Sequence, residues 1–337
     1  LKIDEALDDK TGAAVDIGQL GTLALQEGDF ARAERQHRDA LARFRALGEP
    51  RAEAIGWHQL GMVYQEAVRS EQRAERRAGL LQQAEEAYRQ SLQLEEALGD
   101  PAGAAQTANQ LAMVAKLAGR PADAARWYRR ALQNAELLPD RGATVYNNLA
   151  GLLLAAARGE YGAPPPAGLA EGSDLLAEAE SLARKAATLK EQISDLSLTP
   201  WTTYNILADI AEARGDPTAA QAWRRKARAA YVAFPGHWAN LSRQWGQIVQ
   251  AVAQASRLRI IPADLDAALQ QLNENGWPST VAGLRAIIDG ERDAEVIAEK
   301  LKLPDKSYLI VCKTLEAIHE SATNARREGS HESTNGG

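Results

Sequence analysis

Carboxamides at a recurring position are the residues in this chain best placed to do chemistry. Gln19, Gln59, Gln110 and Asn148 each stand one residue before a leucine that is followed by glycine or alanine. Asn109, Asn147 and Asn205 stand two residues before such a leucine. A carboxamide offers both a donor and an acceptor. That pair can hold the N–H and C=O of an extended peptide without demanding particular side chains. Other chemistry is poorly provided for. The five histidines, His37, His58, His237, His319 and His331, lack a carboxylate or cysteine partner at metal-ligand spacing. The sequence contains neither a Gly-rich phosphate loop ending in Lys-Ser/Thr nor a G-x-S-x-G elbow. The residues therefore predict a chain that is not an enzyme and holds no metal or cofactor.

The elements that must carry these amides repeat. A leucine-small step marks the first helix of each of five units, at Leu20-Gly21, Leu60-Gly61, Leu111-Ala112, Leu149-Ala150 and Leu207-Ala208. Each is followed by a helix with an alanine at its inner face: Ala33, Ala84, Ala124, Ala179 and Ala220. In the first, third and fifth units the leucine and alanine are 13 residues apart. A constant distance between two packing positions signals one supersecondary unit stacked on itself. Each unit reads as two antiparallel helices. Gly28-Asp29, Gly119-Arg120 and Gly215-Asp216 end the first helix, because glycine accepts the left-handed cap conformation.

This pattern resembles the tetratricopeptide repeat, whose signature W-x2-L-G-x2-Y…A is matched best in the second unit by Trp57, Leu60, Gly61, Tyr64, Ala84 and Tyr88. The resemblance covers about residues 13–236. The period is longer than the usual ~34 residues: Leu20 to Leu60 is 40, and Leu111 to Leu149 is 38. Long units closing on Ala46-Leu47-Gly48-Glu49-Pro50 or Ala97-Leu98-Gly99-Asp100-Pro101, and the run Tyr146-Asn147-Asn148-Leu149-Ala150, are similar to those of kinesin light chain and of bacterial STAND-type sensor regions. The resemblance implies an all-α fold: a right-handed superhelix (an α-solenoid) of about five helix pairs with a C-terminal helical cap. It also implies a concave groove for an extended peptide, lined by Gln19, His58, Gln59, Met62, Asn109, Gln110, Met113, Asn147, Asn148, Asn205 and Asp209. In that groove the asparagines would hold the ligand. The same amides could instead bridge adjacent repeats, and this alternative weighs more for the three glutamines. Neither lysine nor arginine stands at Thr22, Met62, Met113 or Gly151, so the carboxylate clamp of chaperone-binding relatives is missing. Met62 and Met113 point instead to a soft apolar patch.

Departures from the repeat mark the remaining organisation. Residues 1–9 align without a gap with the segment from Leu92, so residues 1–12 read as the tail helix of an upstream repeat whose first helix is missing, and an upstream domain is expected. The second unit carries an insertion at about 68–79 with Arg69, Arg73, Arg76 and Arg77. Free of proline, it reads as helix extending past the stack, and its arginines as a basic prong for an acidic partner. The fourth carries Pro164-Pro165-Pro166 between glycines within about 159–173, which forbids regular helix and predicts a mobile surface loop. After Phe234-Pro235-Gly236 the repeat stops. An amphipathic helix over 237–256 presents Trp238, Leu241, Trp245, Ile248 and Val252 on one face. Shorter helices follow at about 262–275, 279–289, 293–303 and 305–321, with Ser279 and Asp305 as N-caps. Residues 237–322 thus form a capping helix and small bundle, and 323–337 a disordered tail.

Composition narrows the partners. A net charge of −6 and a pI of about 5.6 give no basic field for nucleic acid. Neither a signal peptide nor an apolar run near ~18 residues is present, so no membrane is expected. The single cysteine, Cys312, excludes an internal disulfide, suits a cytoplasmic protein, and lies in an apolar run that reads as core. The leading expectation is a protein–protein interaction module, the sensor or scaffold part of a larger bacterial signalling protein. The alternative is a small-ligand-sensing regulatory domain of a transcription factor, with a closed pocket lined by Trp57, Met62 and Met113.

Overall fold

A computed structural model describes residues 9–133, 139–169, 174–193 and 199–332. Among these residues the fold is all-α, with fifteen helices. The helices divide into two compact units, and the division runs through one helix: residues up to 198 and 209–215 form the first unit, residues 199–208 and 216 onward the second.

The first unit contains α1 (Lys10–Gln26), α2 (Phe30–Leu47), α3 (Pro50–Ser70), α4 (Ala74–Ala97), α5 (Pro101–Leu117), α6 (Pro121–Leu132), α7 (Pro139–Ala157) and α8 (Leu175–Gln192), each packing on the next. These are four helix pairs. Their ends follow from local chemistry. Asp9, Asp29, Asp100 and Asp174 accept backbone N–H groups of the first turn, and Pro50, Pro101 and Pro121 stand where a helix has no use for an N–H. Between α1 and α2, Gly28 has φ +78°. Its N–H donates to the Leu25 carbonyl at 3.1 Å while the Asp29 N–H donates to the Ala24 carbonyl at 2.9 Å. The same pair of bonds recurs at Gly99-Asp100 and Gly119-Arg120.

Within each pair the close approach is small against large. Leu60, Leu111 and Leu149 are buried, as are Ala33, Ala84, Ala124 and Ala179; Leu20 is only half-buried. The Tyr88 ring lies directly over Gly61, where a Cβ would come within 2.5 Å of it, and the His37 ring lies over Gly21 in the same way at 2.8 Å.

One insertion differs from expectation, while the other, as expected, holds no regular helix over its described residues 159–169. Residues 68–79 are not continuous helix: α3 ends at Ser70 and α4 begins at Ala74. The Glu71 carboxylate accepts the Arg73 backbone N–H at 2.9 Å, and Arg77 donates to the Val68 carbonyl at 2.9 Å, so the turn caps both helix ends. The proline loop ends on an anchor. Leu169 is buried, and Arg129 donates to its carbonyl at 2.8 Å while also reaching Glu178 at 2.7 Å. Residues 170–173 of that insertion and 1–8 of the expected tail helix lie outside the described residues.

The helix crossed by the division is α9 (Pro200–Ala213). The second unit holds its first part with α10 (Pro217–Ala233), α11 (Pro235–Leu258), α12 (Ala263–Glu274), α13 (Pro278–Ile288), α14 (Ala294–Leu301) and α15 (Asp305–Glu332). The fifth leucine and alanine, Leu207 and Ala220, thus share a unit with the C-terminal helices, and the units do not part at 236. Tyr204 stacks on Trp223, joining α9 to α10. Trp245 and Val252 of α11 are fully buried, with Trp238, Leu241 and Ile248 packed on the same core as Leu284, Ile287, Ile310 and Val311. Arg228, buried on α10, pairs with Glu295, which accepts the Tyr308 hydroxyl at 2.7 Å. Ser279 is not a cap, because Pro278 occupies the first helical position after Trp277. Asp305 is already helical. The last helix continues through Glu332, past residue 323 where the sequence predicts disorder; 333–337 lie outside the described residues. Cys312 is largely buried against this core, and burial pushes its thiol up to about 11.

Replacing Gly61 with alanine puts a methyl group into a ring that is itself fully buried. The expected result is a loss of about 1–3 kcal/mol in urea unfolding. An unchanged or raised midpoint would show that Tyr88 can move aside.

Candidate functional site

The first helices of the pairs carry the amide positions. Gln19 is exposed on α1, Gln59 and Met62 are half-buried on α3, Asn109, Gln110 and Met113 are half-buried on α5, and Asn147 and Asn148 are half-buried on α7. The asparagines are engaged within the protein. Asn148 donates its amide to the Asn109 side-chain oxygen at 3.1 Å and so bridges α7 to α5. Asn109 in turn sits 4.0 Å from the Met113 sulfur. In the second unit Asn205 donates to the Asp305 carboxylate at 3.1 Å, tying α9 to α15. Asp209 receives Arg158, which reaches its carbonyl at 3.3 Å and its carboxylate at 3.7 Å. The glutamines reverse the weighting from sequence. Gln19, Gln59 and Gln110 make no side-chain hydrogen bond among the described residues, and the Gln110 amide oxygen is buried without a partner.

His58 belongs to a buried polar network. Its Nδ1 lies 2.9 Å from the Thr107 hydroxyl, which donates to the Glu95 carboxylate at 3.0 Å; Ser91 also donates to Glu95, at 3.1 Å, and reaches the Ala54 carbonyl at 2.9 Å. Three helices, α3, α4 and α5, meet here. Burial pushes the Glu95 carboxyl above the usual carboxylate range, against the pull of the Thr107 and Ser91 hydrogen bonds. One Glu95 oxygen has no partner. Sequence reasoning missed this cluster. Its signal was available: Ala84, Tyr88, Ser91 and Glu95 run along one buried stripe of α4, so two polar residues stand at core positions.

The arginines of the α3–α4 turn are held locally. Arg69 pairs with Glu66 at 2.8 Å, Arg73 and Arg76 approach Glu71 at 3.6 and 3.8 Å, and Arg77 caps α3. Among the described residues no three of His, Cys, Asp and Glu are grouped to hold a metal ion, and no helix is long and apolar enough to cross a membrane.

Glu95 gives a signed pH dependence. Because its folded-state pKa is raised, the folded chain binds this proton more tightly than the unfolded chain, and the group favours folding increasingly as pH falls through that raised value. The stability of wild type relative to Glu95→Gln should therefore rise as pH is lowered from 8 towards 4 and level off below about 4.3, the ordinary glutamate value. Chemical denaturation at several pH values checks this. A constant difference would mean that Glu95 titrates normally in the folded state.

Residues 73–137 match the family model described as tetratricopeptide repeat. A search of curated proteins returned no match. Among solved structures, BtubC (BKLC) from P. vanneervenii is 24% identical, with a TM-score of 0.54 over 70% of this chain and 86% of that one. A structure of kinesin light chain nearly identical TPR-like repeats from Podosopora anserina is 16% identical, with a TM-score of 0.48 over 65% of this chain and 95% of that one. The first of these likenesses is one of fold. Residues 73–137 are thus tetratricopeptide repeat, set in a chain whose fold is similar to that of BtubC.

Proposed function

We propose that this chain is a protein-interaction module in which the first helices of the pairs line a groove for an extended peptide or protein segment. One observation carries the reading: Gln19, Gln59 and Gln110 stand at the same register on α1, α3 and α5, and among the described residues their side chains make no hydrogen bond. Gln19 is exposed and Gln59 half-buried, so a ligand backbone can meet their donor and acceptor groups, and the same spacing repeats the offer along the ligand. The asparagines, engaged between helices, then fix the spacing of the glutamines and are not themselves ligand contacts. Stacked repeats supply such extended surfaces generally.

We place the module in a larger bacterial signalling protein, as its sensor or scaffold part, acting in the cytoplasm on protein or peptide partners and without catalysis. The acidic net charge supports protein over nucleic acid, and the lone, partly buried cysteine suits a reducing compartment. The small-ligand alternative asks for a closed pocket bounded by Trp57, Met62 and Met113. Trp57 lines instead an open cleft of about 950 Å³ with Phe30, Tyr64 and Leu80, and neither methionine borders it.

Peptides selected on the wild-type protein from a random display library should bind the Gln19/Gln59/Gln110→Ala triple variant at least about tenfold more weakly, a loss of ~1.4 kcal/mol, with helicity unchanged. Equal affinity for both proteins, or failure to select any peptide, would reject the groove.

A further inference from the structure

The junctions between successive first helices are not alike. Between α3 and α5 the cleft is closed by His58, Thr107, Glu95 and Ser91. Counting back from the repeat leucines and along the second helix from its buried alanine, the same four positions one repeat earlier are Gly18, Gly56, Phe44 and Ala40. Each polar partner of the network is replaced by glycine or by an apolar residue. What remains between α1, α2 and α3 is a pocket of about 270 Å³ bordered by these four residues and by His37.

Packing does not account for the glycine at 18. A Cβ there would meet only the Ala40 Cβ, at an ordinary 3.8 Å, and glycine inside a helix lowers its stability relative to alanine. Its consequence is space: a side chain at 18 would stand where His58 stands in the next junction. The rim is unusually apolar for a surface, with Val15 42% and Ile55 62% exposed. Gln19 and Gln59 border the same opening. At its wall the His37 ring is buried, and its Nε2 has no hydrogen-bond partner.

We propose that this pocket is a socket for one uncharged side chain of leucine, methionine or phenylalanine size, borne on an extended peptide whose backbone meets the amides of Gln19 and Gln59. The proposal rests on the groove reading above and adds a sequence preference to it. Among the described residues no charged side chain lines the pocket, so a charged side chain entering it would lose hydration without gaining a partner. Its volume admits one side chain and not a helix, which is about 10 Å across. The two amides supply both donor and acceptor to whatever backbone carries that side chain.

The test is an NMR titration with N-acetyl-leucine N-methylamide, read at the Val15 and Ile55 methyl groups and the His37 ring, with N-acetyl-glutamate N-methylamide as the charged comparison. Saturable shifts at all three residues are expected with the leucine compound, and at least tenfold weaker binding with the glutamate compound. Gly18→Asn, which places in the pocket the residue type found at this register in three later repeats, should weaken the leucine compound at least tenfold while leaving thermal stability no lower. Ile55→Gln, at an exposed position, provides a second variant with the same expected direction. Absence of saturable shifts, equal binding of both compounds, or wild-type binding by both variants overturns the socket. If the socket fails while selected peptides still depend on the three glutamines, the groove reading stands alone. If the leucine compound binds but no peptide depends on the glutamines, the pocket stands and the groove falls.

Discussion

The first two helix pairs depend on a small residue of one helix meeting a ring of the next. Gly61 beneath Tyr88 and Gly21 beneath His37 allow the two helices of a pair to approach more closely than any larger residue would permit. Fully buried alanines at 33, 84, 124 and 179 face the same seam from the second helix. Dense packing makes such contacts intolerant of even one added methyl group. That intolerance keeps each pair in nearly one geometry, and it is why one helix face after another presents its polar side chains at matching positions.

With the pairs so constrained, individuality moves to the junctions between them. Four positions hold a hydrogen-bonded cluster around Glu95 at one junction and an open apolar pocket at the one before it. At the next, Asn148 and Asn109 clasp each other. The backbone frame tolerates all three, because none alters the seam inside a pair. Burial of Glu95 where three helices meet raises its pKa, whereas the preceding pocket opens to solvent between the exposed Val15 and Ile55.

Much of this was legible in the residues. The leucine and alanine spacing, the glycine turns and the proline starts come from local chemistry: capping bonds, a missing N–H and a left-handed φ act over four or five residues and leave a direct trace in sequence. The stripe of α11 was legible for the same reason, since Trp245 and Val252 fall on one helical face. The break at Glu71–Arg73 was not, because it depends on Glu71 and Arg77 capping helix ends in a stretch that lacks proline. Nor was the extension of α15 to Glu332, where a polar composition resembles that of a disordered tail.

The amides mark the division most clearly. Sequence by itself established an all-α chain of repeated helix pairs and placed a carboxamide at a recurring register, because periodicity and donor-acceptor chemistry belong to residues. Which amides are engaged and which are free was decided only when helices far apart in the chain came together. Asn148 finds Asn109, and Asn205 finds Asp305, across 39 and 100 residues, while Gln19, Gln59 and Gln110 find none among the described residues. A side chain's partner depends on the distance between elements, and that distance is a property of packing, which no single helix carries in its own sequence.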